Sequence, residues 1–125
     1  MQARRALDAH GLNGAPRYHA ELVFEEITAN IIAHGAPDAR ELEVCVSLEI
    51  AGDRFVLTFE DNGVPFDPRS RPDPPPQKSL DEARIGGYGL MLVRRAARSM
   101  DYLRTVDGHN RLIVRLPRGE EAAPR

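Results

Sequence analysis

The chain has 125 residues, with a single cysteine, Cys45, and no tryptophan. One cysteine excludes an intrachain disulfide and suits a reducing compartment. No apolar run approaches the ~20 residues that span a bilayer, and the first residues do not read as a secretory leader; a cytoplasmic protein with no membrane partner is expected. Charge of one sign is also scarce. The 17 basic residues face 19 acidic ones, and a net charge of −2 offers no field to attract nucleic acid or an anionic membrane. Every basic residue except Lys78 is arginine, a bias better explained by genome composition than by a binding surface. His10, His19, His34 and His109 show no metal-ligand spacing with one another or with Cys45. There is no Gly-Lys-Ser/Thr phosphate loop and no local signature of a nucleophilic triad. With aromatics at 6%, a stacking platform for nucleic-acid bases is not expected. A bacterial-type enzyme or regulator is the default.

What remains is enough for one domain with a real core, since 42% of the residues are hydrophobic. Residues 3–10 read as a short helix, followed by a connector at Asn13-Gly14-Ala15-Pro16. From Tyr18 to His34 the pattern is helical, with Val23, Ile27 and Ile31 on one stripe, Phe24 and Ile32 beside it, and Gly35 and Pro37 ending it. Leu42 to Ile50 alternates apolar with polar residues, as a half-buried strand does. Gly52-Asp53 turns it into a second strand, Phe55 to Glu60. Residues 64–85 carry neither period and hold six of the ten prolines. So long an irregular segment inside a compact domain is read as a lid, about 64–86, against the plainer reading of a loop without a role. Leu90, Val93, Ala97 and Met100 then mark a helix face. Strands from Tyr102 to Val106 and from Arg111 to Leu116 make a second hairpin, ahead of a polar tail, 118–125. This order predicts an α+β two-layer sandwich, with helices on one face of a mixed, mostly antiparallel sheet.

Three short motifs carry chemistry. Glu26 and Asn30 lie four apart on the first long helix and so point the same way, on a line that runs from Leu22 to His34 along the border of the apolar stripe. Asparagine disfavours helix interiors. Its carbonyl oxygen suits Mg²⁺, and a carboxylate one turn earlier can take a proton from an attacking hydroxyl. A surface Glu beside a hydrogen-bonded Asn is the plainer alternative. Asp61 and Gly63 end the strand of Phe55, Leu57 and Phe59. A carboxylate there can accept from an exocyclic amine such as adenine N6, and Gly63 permits close approach; a simple Asp-Asn-Gly turn would look the same. Gly86, Gly87 and Gly89 precede a helix, where backbone N–H groups and the helix dipole favour phosphate oxygens. A hinge between lid and helix is the alternative, and the two are compatible.

In this order, the stretches 21–35, 59–68 and 86–93 resemble the N, G1 and G2 boxes of the Bergerat-fold (GHKL) ATPases, and most closely those of the anti-sigma-factor serine/threonine kinases. The likeness runs from about Arg4 to Leu116 and implies a single ATP-binding domain over 1–125. It implies that Asn30 holds Mg²⁺, that Glu26 is the general base, and that Asp61 reads the adenine amine with Gly63 beside it. Gly87, Tyr88, Gly89 and Leu90 would form the phosphate side under the lid. The implied activity is phosphorylation of a serine on a STAS-type anti-anti-sigma protein, with a sigma factor as second partner and room for a homodimer. A non-catalytic ATP-binding module that sequesters its partner is one alternative. A sensor histidine kinase catalytic domain is another, although such domains usually carry Asn where Glu26 stands. The family also opens with a strand, whereas the elements predicted here open with a helix.

Overall fold

A computed structural model describes residues 14–70 and 88–118. The helix expected over 3–10, the lid residues 71–86, Gly87 and the tail beyond 118 lie outside the described residues. Helix α1 (Gly14–His34) leads to the hairpin of β1 (Val44–Ala51) and β2 (Arg54–Asp61). Helix α2 (Tyr88–Ala96) leads to the hairpin of β3 (Ser99–Arg104) and β4 (Asn110–Pro117). The four strands form one sheet in the order β1-β2-β4-β3, with every pairing antiparallel. Among the described residues no parallel pair occurs, so the "mixed" element of the expected sheet is absent from them.

Both helices lie on one face of the sheet. Ala20, Val23, Ile27 and Ile31 of α1, with Leu90 and Val93 of α2, pack on Phe55, Leu57 and Phe59 of β2 and Leu112, Val114 and Leu116 of β4. Phe24 joins this core, but Ile32 stands 65% exposed, one step too far round the helix. Among the described residues no helix is long and apolar enough to cross a membrane.

Several boundaries differ from expectation, each for a physical reason. Gly14, Ala15 and Pro16 belong to α1 rather than to a connector. Gly14 takes φ +62° at the start, and proline is tolerated in a first turn, where its missing N–H has no helical partner to lose. Strand β1 begins at Val44, two residues late, because the Asn62 side chain takes the partners a neighbouring strand would supply. Its Oδ1 accepts from Glu43 N–H at 2.7 Å and its Nδ2 donates to Glu41 O at 2.9 Å. Met100 is a strand residue. The chain leaves α2 after Ala96, Arg98 N–H donates to Arg115 O at 2.7 Å, and pairing with β4 overrides the helical period. The β3–β4 turn correspondingly starts early and leaves Val106 fully exposed.

The hairpin turn at Gly52-Asp53 has φ +63° at its first central residue only, the pattern of a type II′ turn. Ala39 is the non-glycine residue with positive φ among those described, at 63°, in the loop that delivers Arg40 to the Asn62 carbonyl (Nη1 to O, 2.8 Å). A β-carbon is strained there. Ala39→Gly is expected to raise unfolding free energy by about 0.5–1 kcal/mol, read as a higher midpoint in urea with unchanged slope; a lower midpoint would contradict the strain.

Candidate functional site

The two central strands carry their core rows to the same end of the sheet and finish them with polar side chains. The inward row of β2 runs Phe55, Leu57, Phe59, Asp61; that of β4 runs Leu116, Val114, Leu112, Asn110. Asp61 and Asn110 are direct cross-strand partners, and each is only 5% exposed. Buried polar groups must be paired, and here they pair with each other. Asp61 Oδ1 accepts from Asn110 Nδ2 at 2.9 Å and from Gly63 N–H at 2.8 Å. Its other oxygen has no partner among the described residues, and it is not sealed in: the side-chain atom both buried and unpaired is Thr28 Oγ1. Asp61 therefore offers one fixed oxygen and one open acceptor.

Asp61 lines a cleft of about 20 Å³ together with Ile27, Asn30, Ile31, Tyr102 and Asn110 among others. Apolar walls with a few convergent polar groups are the lining of a small-ligand site, but the space is that of about one water, so a planar base enters only as the walls part. Asn30 enters from α1. Its Nδ2 donates to the Glu26 backbone oxygen at 2.9 Å, which fixes the carboxamide and leaves Oδ1 without a partner among the described residues. A neutral, hard oxygen held in this way fits a Mg²⁺ ligand. Among the described residues no group of three or more acidic, histidine or cysteine side chains could hold a metal unaided, so further ligands would come from the nucleotide and water.

Glu26 is half-buried one turn earlier, and its carboxylate lies against the first turn of α2. A methyl group on Gly89 would stand 1.7 Å from Glu26 Oε1. The absent side chain of Gly89 is what lets helix and carboxylate meet. Tyr88 opens α2, and Leu90 is turned into the core at 4% exposure, leaving only its backbone to face a ligand. The structure thus joins Glu26 to Gly89 and brings Asn30 and Asp61 to one cleft.

Gly63 makes a second close approach. A methyl group there would lie 2.7 Å from Gly35 O and 2.9 Å from Gly35 Cα, and Val64 N–H donates to Gly35 O at 2.9 Å. The end of α1 and the end of β2 are clamped backbone to backbone. Beyond this clamp residues 66–70, the start of the segment expected to be a lid, are ordered. Phe66 stacks on His34 with centroids 4.9 Å apart, and Pro68–Ser70 forms a 3-10 turn with Pro68 buried. Arg104 Nη1 secures Gly63 O at 2.9 Å.

Gly35, Phe66, Tyr102 and Asn110 are site residues that motif reading passed over. Asn110 had a usable signal. It sits in phase with Leu112, Val114 and Leu116, at a position where a strand disfavours asparagine.

On the outer face of the sheet, His109 Nδ1 lies 2.9 Å from Glu60 Oε2, and Arg111 Nε donates to Glu60 Oε1 at 3.0 Å. These bonds, that to His109 foremost, hold the Glu60 carboxyl below the usual range.

A family profile described as "Histidine kinase-like ATPase domain" matches residues 1–116. Serine/threonine-protein kinase BtrW of Bordetella bronchiseptica is 32% identical over 98 residues, which is 78% of this chain and 68% of that protein. Among solved structures, the histidine kinase AdeS of Acinetobacter baumannii is similar with a TM-score of 0.49 and 18% identity. That similarity covers 83% of this chain and 48% of the other, so the chain spans about half that structure's length.

A carboxyl depressed in the folded state stabilises the fold above its unfolded value, about 4.3, and that contribution is lost as the pH falls through the folded value. Glu60→Gln is therefore expected to lower stability slightly at pH 7 and to flatten the acid limb below about pH 4.5. Urea titrations from pH 7 to pH 3 check this; parallel curves for variant and wild type would count against it.

Proposed function

The chain belongs to the histidine kinase-like ATPase domain family, and from that premise we propose that it is an ATP-dependent protein serine/threonine kinase acting on a STAS-type antagonist, with a sigma factor as its second partner. The observation that carries the ATP site is the open oxygen of Asp61 at the edge of an apolar cleft, with Asn30 across from it. The serine specificity is supported by Glu26 and by the similarity to a serine/threonine-protein kinase from Bordetella.

In this reading the adenine ring enters the cleft and its 6-amino group donates to Asp61. The triphosphate runs toward the first turn of α2, where Tyr88, Gly89 and Leu90 present backbone N–H groups, and Gly87, next to them in the sequence, would join them. Asn30 would hold Mg²⁺ through Oδ1, and the ion would supply charge neutralisation on the phosphate oxygens. Glu26 orients the acceptor serine and takes its hydroxyl proton. The serine oxygen forms its bond to the γ-phosphorus, the bond from that phosphorus to the bridging oxygen breaks, and ADP leaves. Phosphoryl transfer asks mainly for positioning and electrostatic stabilisation, so one carboxylate, one amide and a helix start are sufficient. The lid, rooted at Phe66 and Pro68, would exclude water, which otherwise competes with serine for the phosphoryl group.

Incubation with γ-labelled ATP and a STAS protein encoded nearby is expected to label serine. A stable complex with no label would select a sequestering module, and label on histidine would select a sensor-kinase domain. Glu26→Gln should bind ATP and lose about 10²–10⁴-fold in turnover; undiminished labelling removes Glu26 from the base position. Asn30→Ala should lose the Mg²⁺-dependent part of ATP affinity in calorimetry while keeping the wild-type circular dichroism. Equal affinity with and without Mg²⁺ in the wild type would remove the metal role.

A further inference from the structure

Asn110 makes four hydrogen bonds from one buried side chain. Its Nδ2 donates to Asp61 Oδ1 at 2.9 Å and to Val64 O at 2.8 Å. Its Oδ1 accepts from Phe66 N–H at 3.2 Å and from the Tyr102 hydroxyl. Both hydrogens and both lone pairs of the carboxamide are used, its full capacity. The amide cannot be reversed without loss. Turned over, its oxygen would face two acceptors, Asp61 Oδ1 and Val64 O, and its NH₂ would face the Phe66 N–H donor. Only Tyr102, whose hydroxyl can also accept, would tolerate the exchange.

These bonds join three things that the sequence separates: the Asp61 carboxylate, the first residues of the lid, and Tyr102 on the edge strand β3. We infer that Asn110 is a positioning residue for base selection: it holds Asp61 as a pure acceptor with Oδ2 open to the cleft, and ties the root of the lid to that same carboxylate. The inference rests on the reading of Asp61 as the partner of the adenine amine.

Its chemistry follows from the donor count. With Oδ1 engaged by the Asn110 amide and the Gly63 N–H, the carboxylate is fixed in rotation and its second oxygen points at the ligand. A base bearing an amine at that place is rewarded. A base bearing a carbonyl there sets acceptor against acceptor, and a base bearing only hydrogen leaves the oxygen unpaired. Without Asn110 the carboxylate keeps Gly63 alone and can rotate away from the cleft. The lid root meanwhile loses the partners of Val64 O and Phe66 N–H. Base recognition and the lid's anchorage therefore weaken together.

The test compares ATP with purine riboside triphosphate, which differs from it only in lacking the 6-amino group. Wild-type protein should prefer ATP by roughly tenfold or more, measured by calorimetry. Asn110→Ala should bring that preference to within about threefold, whereas a residue that merely stabilises the fold would lower both affinities and preserve the ratio. A retained ratio in Asn110→Ala overturns the inference. No preference in the wild type overturns the reading of Asp61 instead, so the two failures are distinct. Should Asn110→Ala not fold, the near-isosteric Asn110→Leu decides: it fills the same volume without the donor to Asp61 Oδ1 and should reduce the ratio severalfold, while an unchanged ratio overturns the inference. Hydrogen exchange gives a second readout. ATP should slow exchange at Phe66 N–H in the wild type and have little effect there in Asn110→Ala; equal protection in both would sever the lid from the carboxylate.

Discussion

A carboxylate at the end of a core row is the constraint on which the candidate site is built. Asp61 follows Phe55, Leu57 and Phe59 on the inward face of β2, where a further hydrophobe would be the least costly residue. Burying an unpaired carboxylate costs several kcal/mol, so the surroundings must answer it. They do so with two donors on one oxygen, the Gly63 backbone and the Asn110 amide. Each donor brings a requirement of its own. Gly63 must lie flat against Gly35 to present its N–H, which fixes the end of α1 against the end of β2. Asn110 must occupy the opposite rung of β4, which sets the register of the two central strands at that end. The cleft is the space these requirements leave over.

Helix α1 serves the same arrangement from the other layer. Its apolar stripe seats it on the sheet, and the neighbouring line of Glu26, Asn30 and His34 is thereby carried along the cleft's border. Asn30 satisfies its own nitrogen on the Glu26 carbonyl and keeps its oxygen available. Glu26 reaches the start of α2 because Gly89 has no side chain to keep it away. The adenine, metal and phosphate functions proposed for these residues thus share one helix and one strand end, and the start of the segment proposed as a lid is held where those two meet.

Much of this was legible in the residues. The 3.6-residue stripe of Val23, Ile27 and Ile31 and the alternation in β1 and β2 report burial, a property that composition expresses directly. The motifs at Glu26–Asn30, Asp61–Gly63 and Gly89 resembled a known family, and the family match over residues 1–116 agrees. Where the pattern misled, a long-range partner had overruled a local one. Met100 continued a helical stripe until β4 claimed it, and Leu42 continued an alternation that the Asn62 side chain cut short. Asn110 falls between the strands expected at 102–106 and 111–116, although its two-residue phase with Leu112 marks it as inward-facing.

The order and type of the elements, the polar border of α1, and the chemical character of Glu26, Asn30 and Asp61 were decided by the chain alone, because each depends on spacing within one element. The pairing of Asp61 with Asn110, the backbone contact of Gly35 with Gly63, and the approach of Gly89 to Glu26 were decided only when the layers came together. Each joins residues at least 28 positions apart in the chain, and no local periodicity records which rung of one strand will face which rung of another. A buried polar group has to find its partners in three dimensions, and that search is what gave the cleft its shape.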